Sequence, residues 1–344
     1  MKLSFTTYRI FLKHPFGISR SSNNWYDIVL IFLQDGDIIG RGEAAPSIRY
    51  EESTENILSV LNRGINIPDS ENSNLEKMQN QIYPQLKNIK SLKAAFSMAL
   101  WDWWAQKKQV PLWKYLGSKN TNMMDTSFTI AIGHIKEIEK KVIEAMPYNI
   151  LKVKLGTPKD DKKIINEIRK FTDKIIRVDA NEGWDFDTAI EMCKWLHGKN
   201  VEFIEQPFHS NDLEKSKKLT KLSPLDIYAD ENSRNVGDLK KIKDSFDGIN
   251  IKLMKCGSIE GALEMIRLAR KYDLKIMLGC MIETSVGITA AASIASYVDK
   301  VDLDGNLLIK NDPFEGVKIV KGKLNLPTSI GLGIKLKTNN NNVL

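Results

Sequence analysis

From about residue 126 onward the chain alternates short apolar runs with amphipathic helical stretches, and that rhythm leaves few folds open. The runs that read as strands are 127–133, 150–156, 175–181, 201–207, 226–232, 248–253, 275–281 and 298–304. Helices of about 10–15 residues fill the gaps, so successive strands run parallel and are joined by right-handed crossovers. Eight such units at roughly equal spacing predict an α/β fold closed as a (β/α)8-type barrel rather than an open sheet. No Gly-rich dinucleotide fingerprint follows any of these strands, which argues against a Rossmann enzyme.

The part before this rhythm has another texture. Within the first 45 residues, 27–33 (DIVLIFL) is strongly β-prone, Asp35-Gly36 is a turn, and 37–43 returns as an antiparallel partner. From Ser53 to about Gln106 the pattern is helical, with a strongly apolar stretch at 91–104. The chain of 344 residues exceeds one ordinary domain, so residues 1–118 are expected to form an α+β unit capping a barrel of residues 119–312. Residues 313–335 are expected to complete the cap, and 336–344, polar and Asn-rich, to fray.

Composition narrows the function. The excess of 50 Lys+Arg over 43 Asp+Glu is spread among acids along helices such as 136–144 and 238–244, which reads as solvated faces and not a nucleic-acid patch. Three cysteines without a CxxC suggest neither a disulfide framework nor a zinc cluster, and a reducing cytoplasm is expected. The N-terminus has no signal-peptide core, and no run approaches a membrane span.

In a parallel barrel, chemistry sits at the C-terminal ends of the strands. Here those ends read Lys152-Val153-Lys154, Asp179-Ala180-Asn181, Glu205-Gln206-Pro207, Asp230-Glu231, Lys252 and Asp302-Leu303-Asp304. Asp179, Glu205 and Asp230 come from three successive strands and converge at the mouth. Three hard oxygen donors with room for water and substrate suit Mg²⁺. A single acid at such a place is more often a helix cap; three in succession, flanked by lysines, favour the metal. Lys152 and Lys154 are two apart on a strand, so both point into the barrel, and their repulsion is expected to lower the pKa of one. Lys252 lies across the mouth. A substrate held at the metal would thus meet an amine on each face, one removing an α-proton and the other returning it with inversion. With one working base, the same site would run a β-elimination.

Taken in order, KVK, DAN, EQP, ADE and INIK after a segment GEAAPS (residues 42–47) resemble the enolase superfamily, and within it the muconate-lactonizing subgroup. The resemblance spans nearly the whole chain. It implies a (β/α)7β TIM-like barrel with an N-terminal α+β capping domain and one Mg²⁺ per subunit on Asp179, Glu205 and Asp230. It also implies Lys154 and Lys252 as the acid/base pair, with Lys255 a rival to Lys252. Lys152 would support them, lowering the Lys154 pKa and meeting the substrate carboxylate. One glycine, Gly257, stands before Ser258 where such relatives usually have two.

Members of the subgroup known as dipeptide epimerases carry a DxD pair that holds the substrate ammonium, and Asp302 and Asp304 match it; on its own Asp304-Gly305 reads as a turn. The resemblance therefore implies a dipeptide epimerase in peptidoglycan peptide metabolism, cytoplasmic and homo-oligomeric. Succinylbenzoate synthesis, N-acylamino acid racemisation and cycloisomerisation remain as alternatives, with a silent metal-binding scaffold further off. Lid loops are expected at 16–25, with Gly17 a hinge, and at 46–52. Arg20 would meet a glutamate side chain, as in an L-Ala-D/L-Glu substrate, whereas Glu51 and Glu52 would suit a cationic one. Asn181 and Met281 are placed in the pocket, with Glu283 behind a lysine. Trp101, Trp103 and Trp104 read as packing, and no histidine falls at the mouth.

Overall fold

The computed structural model describes residues 1–71, 73–118 and 124–338. Near the N-terminus β1 (Lys2–Ile18), β2 (Ser21–Asp35) and β3 (Ile38–Ala44) form an antiparallel sheet. From Ile28 to Leu33 both faces of β2 are buried. Val29, Ile31 and Leu33 pack with α1 (Thr54–Leu61), α2 (Leu75–Ile82) and α3 (Lys90–Lys107), while Ile28, Leu30 and Phe32 join the barrel's core. The period of two thus divides one strand between two hydrophobic cores. A Cβ on Gly40 or Gly42 would lie 2.1 or 1.9 Å from a carbonyl oxygen of α3, so glycine there lets the helix rest on β3.

The barrel strands are β4 (Ser127–Ile130), β5 (Ile150–Lys154), β6 (Ile175–Asp179), β7 (Val201–Glu205), β8 (Asp226–Ala229), β9 (Gly248–Ile251), β10 (Lys275–Gly279) and β11 (Lys300–Asp302). They pair in parallel in sequence order. The seam between β11 and β4 closes through a Thr126↔Val301 bridge, Thr126 Oγ1 accepting from Leu303 N at 2.7 Å and Asp304 accepting from Thr129 N at 2.6 Å. Val153, Val178, Ile204, Ile227, Ile251 and Leu278 face the helices in one continuous core. Below the mouth, Phe203 stacks on Tyr228 at 4.3 Å and Arg177 lies over Phe203.

Several strands end earlier than the apolar runs suggest. Asn181, Glu182 and Gln206 have φ of 44°, 65° and 40°, so the backbone leaves the extended region just past Asp179 and Glu205. The expected loop at 16–25 is instead the tip of the β1–β2 hairpin, with Phe16↔Asn23 and Ile18↔Ser21 paired. Gly17 is no hinge there: it bridges Ile132, and a Cβ would sit 2.3 Å from Ile132 O.

Residues 313–335 touch both units. Leu332 N donates to Asp102 on α3 and Trp113 Nε1 to Pro327 O, while Thr126 N donates to Gly322 O and Val317 N to Thr289 of the helix Ser285–Ala292. Lys335–Leu336 pairs with Phe314–Glu315. Residues 119–123, where the barrel was expected to begin, and 339–344 of the expected tail lie outside the described residues.

Candidate active site

Register places the functional groups on one level. Lys154 pairs with Asp179 and Asp179 with Glu205 across β5, β6 and β7, while Asp230 and Lys252 stand one residue beyond β8 and β9. Asp179, Glu205 and Asp230 are buried, and one carboxylate oxygen from each lies within 4.8 Å of the others. Three buried like charges this close are unfavourable unless cations lie among them. An all-carboxylate donor set on rigid strand ends fits a hard divalent ion.

Four lysines supply positive charge around the triad. Lys152 Nζ is 2.7 Å from Asp302, 2.7 Å from Glu205 and 3.1 Å from Asp179. Lys154 Nζ reaches Asp179 at 2.7 Å, and Lys252 Nζ reaches Asp230 Oδ2 at 2.7 Å. Lys255, expected in a loop, sits on a one-turn helix (Leu253–Cys256) and holds Asp230 from behind. Repulsion does not dominate as the sequence suggests. Burial by itself would lower Lys152, but Asp302, Glu205 and Asp179 hold it well above the usual lysine range, and Asp230 likewise raises Lys252 against its burial. Asp179 and Asp230 fall below the ordinary carboxylate range because the lysines outweigh burial, whereas burial and Asp179 push Glu205 up.

Two residues that the sequence left without a role orient these acids. Asn250 Nδ2 donates to Glu205 Oε1 at 2.7 Å, and Gln206 Oε1 accepts from Asp230 N at 2.9 Å. Asn250 lies two before Lys252, so strand periodicity already put it on the inner face.

Lys152, Lys154, Lys252, Asp302, Asp304, Asn181, Met281 and Arg20 all line a cavity of about 680 Å³ between barrel and cap. Asp302 accepts from Lys152 and from Ser127 Oγ, so the DxD pair also closes the barrel seam. Burial and the neighbouring Asp302 raise Asp304 to about 7. From the hairpin tip, Arg20 donates to Asn181 O at 3.0 Å, to Glu182 at 3.3 Å and to Glu231 at 2.9 Å. Arg49, in the second lid segment, grips Glu182 with both arms at 2.9 and 2.6 Å. Glu182 thus ties both parts of the lid to the barrel, a role no sequence signal marked. Glu52 is not available to a cationic ligand, because it accepts from Lys90 N and Ser91 N at the start of α3. Glu283 Oε1 accepts from Met281 N at 2.7 Å, and the Lys252 charge also acts on its carboxylate.

Comparison with known proteins agrees with this geometry. Residues 4–117 match the mandelate racemase/muconate lactonizing enzyme N-terminal domain, and residues 135–340 match the enolase C-terminal domain-like family. The chain belongs to the mandelate racemase/muconate lactonizing enzyme family. One relative in this family, an L-Ala-D/L-Glu epimerase of Bacteroides thetaiotaomicron, is 37% identical over 337 residues, covering 97% of this chain and 88% of the relative. The substrate-liganded L-Ala-D/L-Glu epimerase of Bacillus subtilis superposes with a TM-score of 0.90 at 30% identity, covering 97% of this chain and 98% of that one. A dipeptide epimerase of Cytophaga hutchinsonii, complexed with Mg and D-Ala-L-Val, does so at 0.88 and 27% identity, covering 98% and 96%. Each of these three relatives is named for epimerisation of a dipeptide.

Proposed function

We propose that this chain is a Mg²⁺-dependent dipeptide epimerase that inverts the α-carbon of the C-terminal residue. The observation that carries the reading is the placement of Lys154 and Lys252 on β5 and just past β9, four strands apart in an eight-stranded barrel, both lining one cavity beside the carboxylate triad. Asp179, Glu205 and Asp230 would hold the ion, which supplies Lewis-acid stabilisation of negative charge on a substrate carboxylate. Lys154 and Lys252 then face opposite sides of the α-carbon, one accepting its proton and the other delivering one. Lys152 remains a fixed cation among carboxylates. Asp302, already paired with Lys152, and Asp304 hold the free ammonium group, which N-acyl and succinylbenzoate-type substrates lack.

Specificity for L-Ala-D/L-Glu is supported by Arg20, which lines the same cavity as Asn181 and Met281 while also pairing with Glu182 and Glu231, and by the relatives from Bacteroides thetaiotaomicron and Bacillus subtilis. Such a substrate belongs to the metabolism of peptidoglycan peptides in the cytoplasm. No described helix is long and apolar enough to cross a membrane. The proposal includes self-association, for which the exposed Ile143, Met146, Phe171 and Ile175 offer apolar surface.

Chiral chromatography tests the reading. L-Ala-L-Glu incubated with protein and Mg²⁺ should yield L-Ala-D-Glu, while N-acetyl-L-Ala-L-Glu should react far more slowly. Equal turnover of the two would refute the ammonium site.

A further inference from the structure

The sequence offers two lysines three residues apart, Lys252 and Lys255, and the structure gives them one carboxylate to share. Lys252 Nζ lies 2.7 Å from Asp230 Oδ2, whereas Lys255 Nζ lies 2.6 Å from Asp230 Oδ1. The remaining protons of Lys255 go to Asp230 O at 2.6 Å and Asn250 O at 2.9 Å, so all three of its donors are used. The Lys255 side chain is fully buried, while Lys252 is on the cavity wall. The turn that separates them is the helix Leu253–Cys256, closed by Gly257 at φ 84° with its N–H on Leu253 O. It sends Lys252 into the mouth and returns Lys255 beneath Asp230.

We infer that Lys255 is a positioning residue for the metal centre: by gripping both the carboxylate and the carbonyl of Asp230, it leaves Oδ2 as the one oxygen presented to the site. This rests on the reading of Asp179, Glu205 and Asp230 as metal ligands. A buried donor on the outer oxygen of a ligand fixes its rotamer before any ion arrives, and removing such a partner weakens metal binding about 10–100-fold. Lys252 competes for the inner oxygen instead. The two lysines carry the same charge against the same carboxylate and have opposite expected effects on metal affinity.

Titration calorimetry of the full chain with MgCl₂ separates them. Lys255→Met should fold as the wild type does by circular dichroism and bind Mg²⁺ about 10–100-fold more weakly. Lys252→Met should bind Mg²⁺ at least as tightly as wild type while losing α-proton exchange. In an Asp230→Asn background, Lys255→Met should weaken binding no further. Wild-type affinity in Lys255→Met, or equal weakening in Lys252→Met, would overturn the inference while leaving the metal reading intact. A wild-type protein that bound no Mg²⁺ would overturn both. If Lys255→Met fails to fold, Lys255→Gln, which keeps a donor but no charge, should show the same direction of loss. Misfolding of both variants would make Lys255 a folding residue and contradict the assignment.

Discussion

At the scale of single residues, what matters is which atoms each buried charge can still reach. Lys154 and Lys252 each hold one carboxylate at 2.7 Å and remain on the cavity wall, while Lys152 is surrounded by three. Lys154→Ala and Lys252→Ala should therefore each lower kcat at least about a hundredfold, the scale of a lost general acid or base, with the fold unchanged by circular dichroism. Activity within a few-fold of wild type in either would remove that lysine from the chemistry. Asp304 tests the ammonium site. Asp304→Asn keeps an oxygen for Thr129 N but loses the charge, so KM for a free dipeptide should rise about tenfold or more, while an N-acylated analogue is little affected. These residues were legible because strand ends and a period of two place them. Lys255 was half legible: its spacing showed a second lysine, but only the backbone turn at Gly257 shows that it faces away from the cavity.

Between elements, the joint of cap and barrel carries a second group of buried acids. Glu43, at the end of β3, accepts from Thr284 N at 2.9 Å and from Gly287 N at 3.2 Å, tying the cap to the start of the helix Ser285–Ala292. Burial is the main cause that raises Glu43 to about 7, and burial together with Glu43 raises Glu283 to about 8. Asp312 and Lys252 are the other charges that act on this pair. Both folded-state values exceed the 4.5 of a free glutamate, so the folded protein holds protons that the unfolded chain releases. Stability should be greatest at low pH within this window and fall as pH rises towards about 8. Thermal melts at roughly pH 5 and roughly pH 9, which bracket most of the window, should show a loss that Glu283→Gln reduces. A pH-independent Tm in the wild type would contradict the raised values. No sequence pattern announces this contact, because its partners lie 241 residues apart. The hairpin lid differs from the expected loop for a related reason: its polar tip, Ser19 to Asn24, resembles a loop, whereas the structure pairs it as a ribbon docked on Ile132 and Asn181.

For the whole molecule, the eight-strand rhythm was enough to predict a barrel, since each apolar run has one face towards the helices and most end in a charge. The closing seam was not readable, because it is made by side chains as much as by strands. Thr126→Val leaves Leu303 N buried without its acceptor, which costs about 1–3 kcal/mol by denaturant unfolding. A loss below about 0.5 kcal/mol would mean that the seam does not depend on that hydroxyl. The metal should stabilise the same structure: Mg²⁺ at about a hundred times its Kd adds about 2.7 kcal/mol. Glu205→Gln, which removes one ligand charge at nearly constant volume, should abolish that gain in the same unfolding measurement.

The measurement that bears most directly on the central claim is ¹H NMR of the protein with L-Ala-L-Glu and Mg²⁺ in D₂O. The α-proton signal of the C-terminal residue should disappear as the second epimer forms, and EDTA should stop both changes. An α-proton that persists under conditions where calorimetry shows Mg²⁺ bound would contradict that claim.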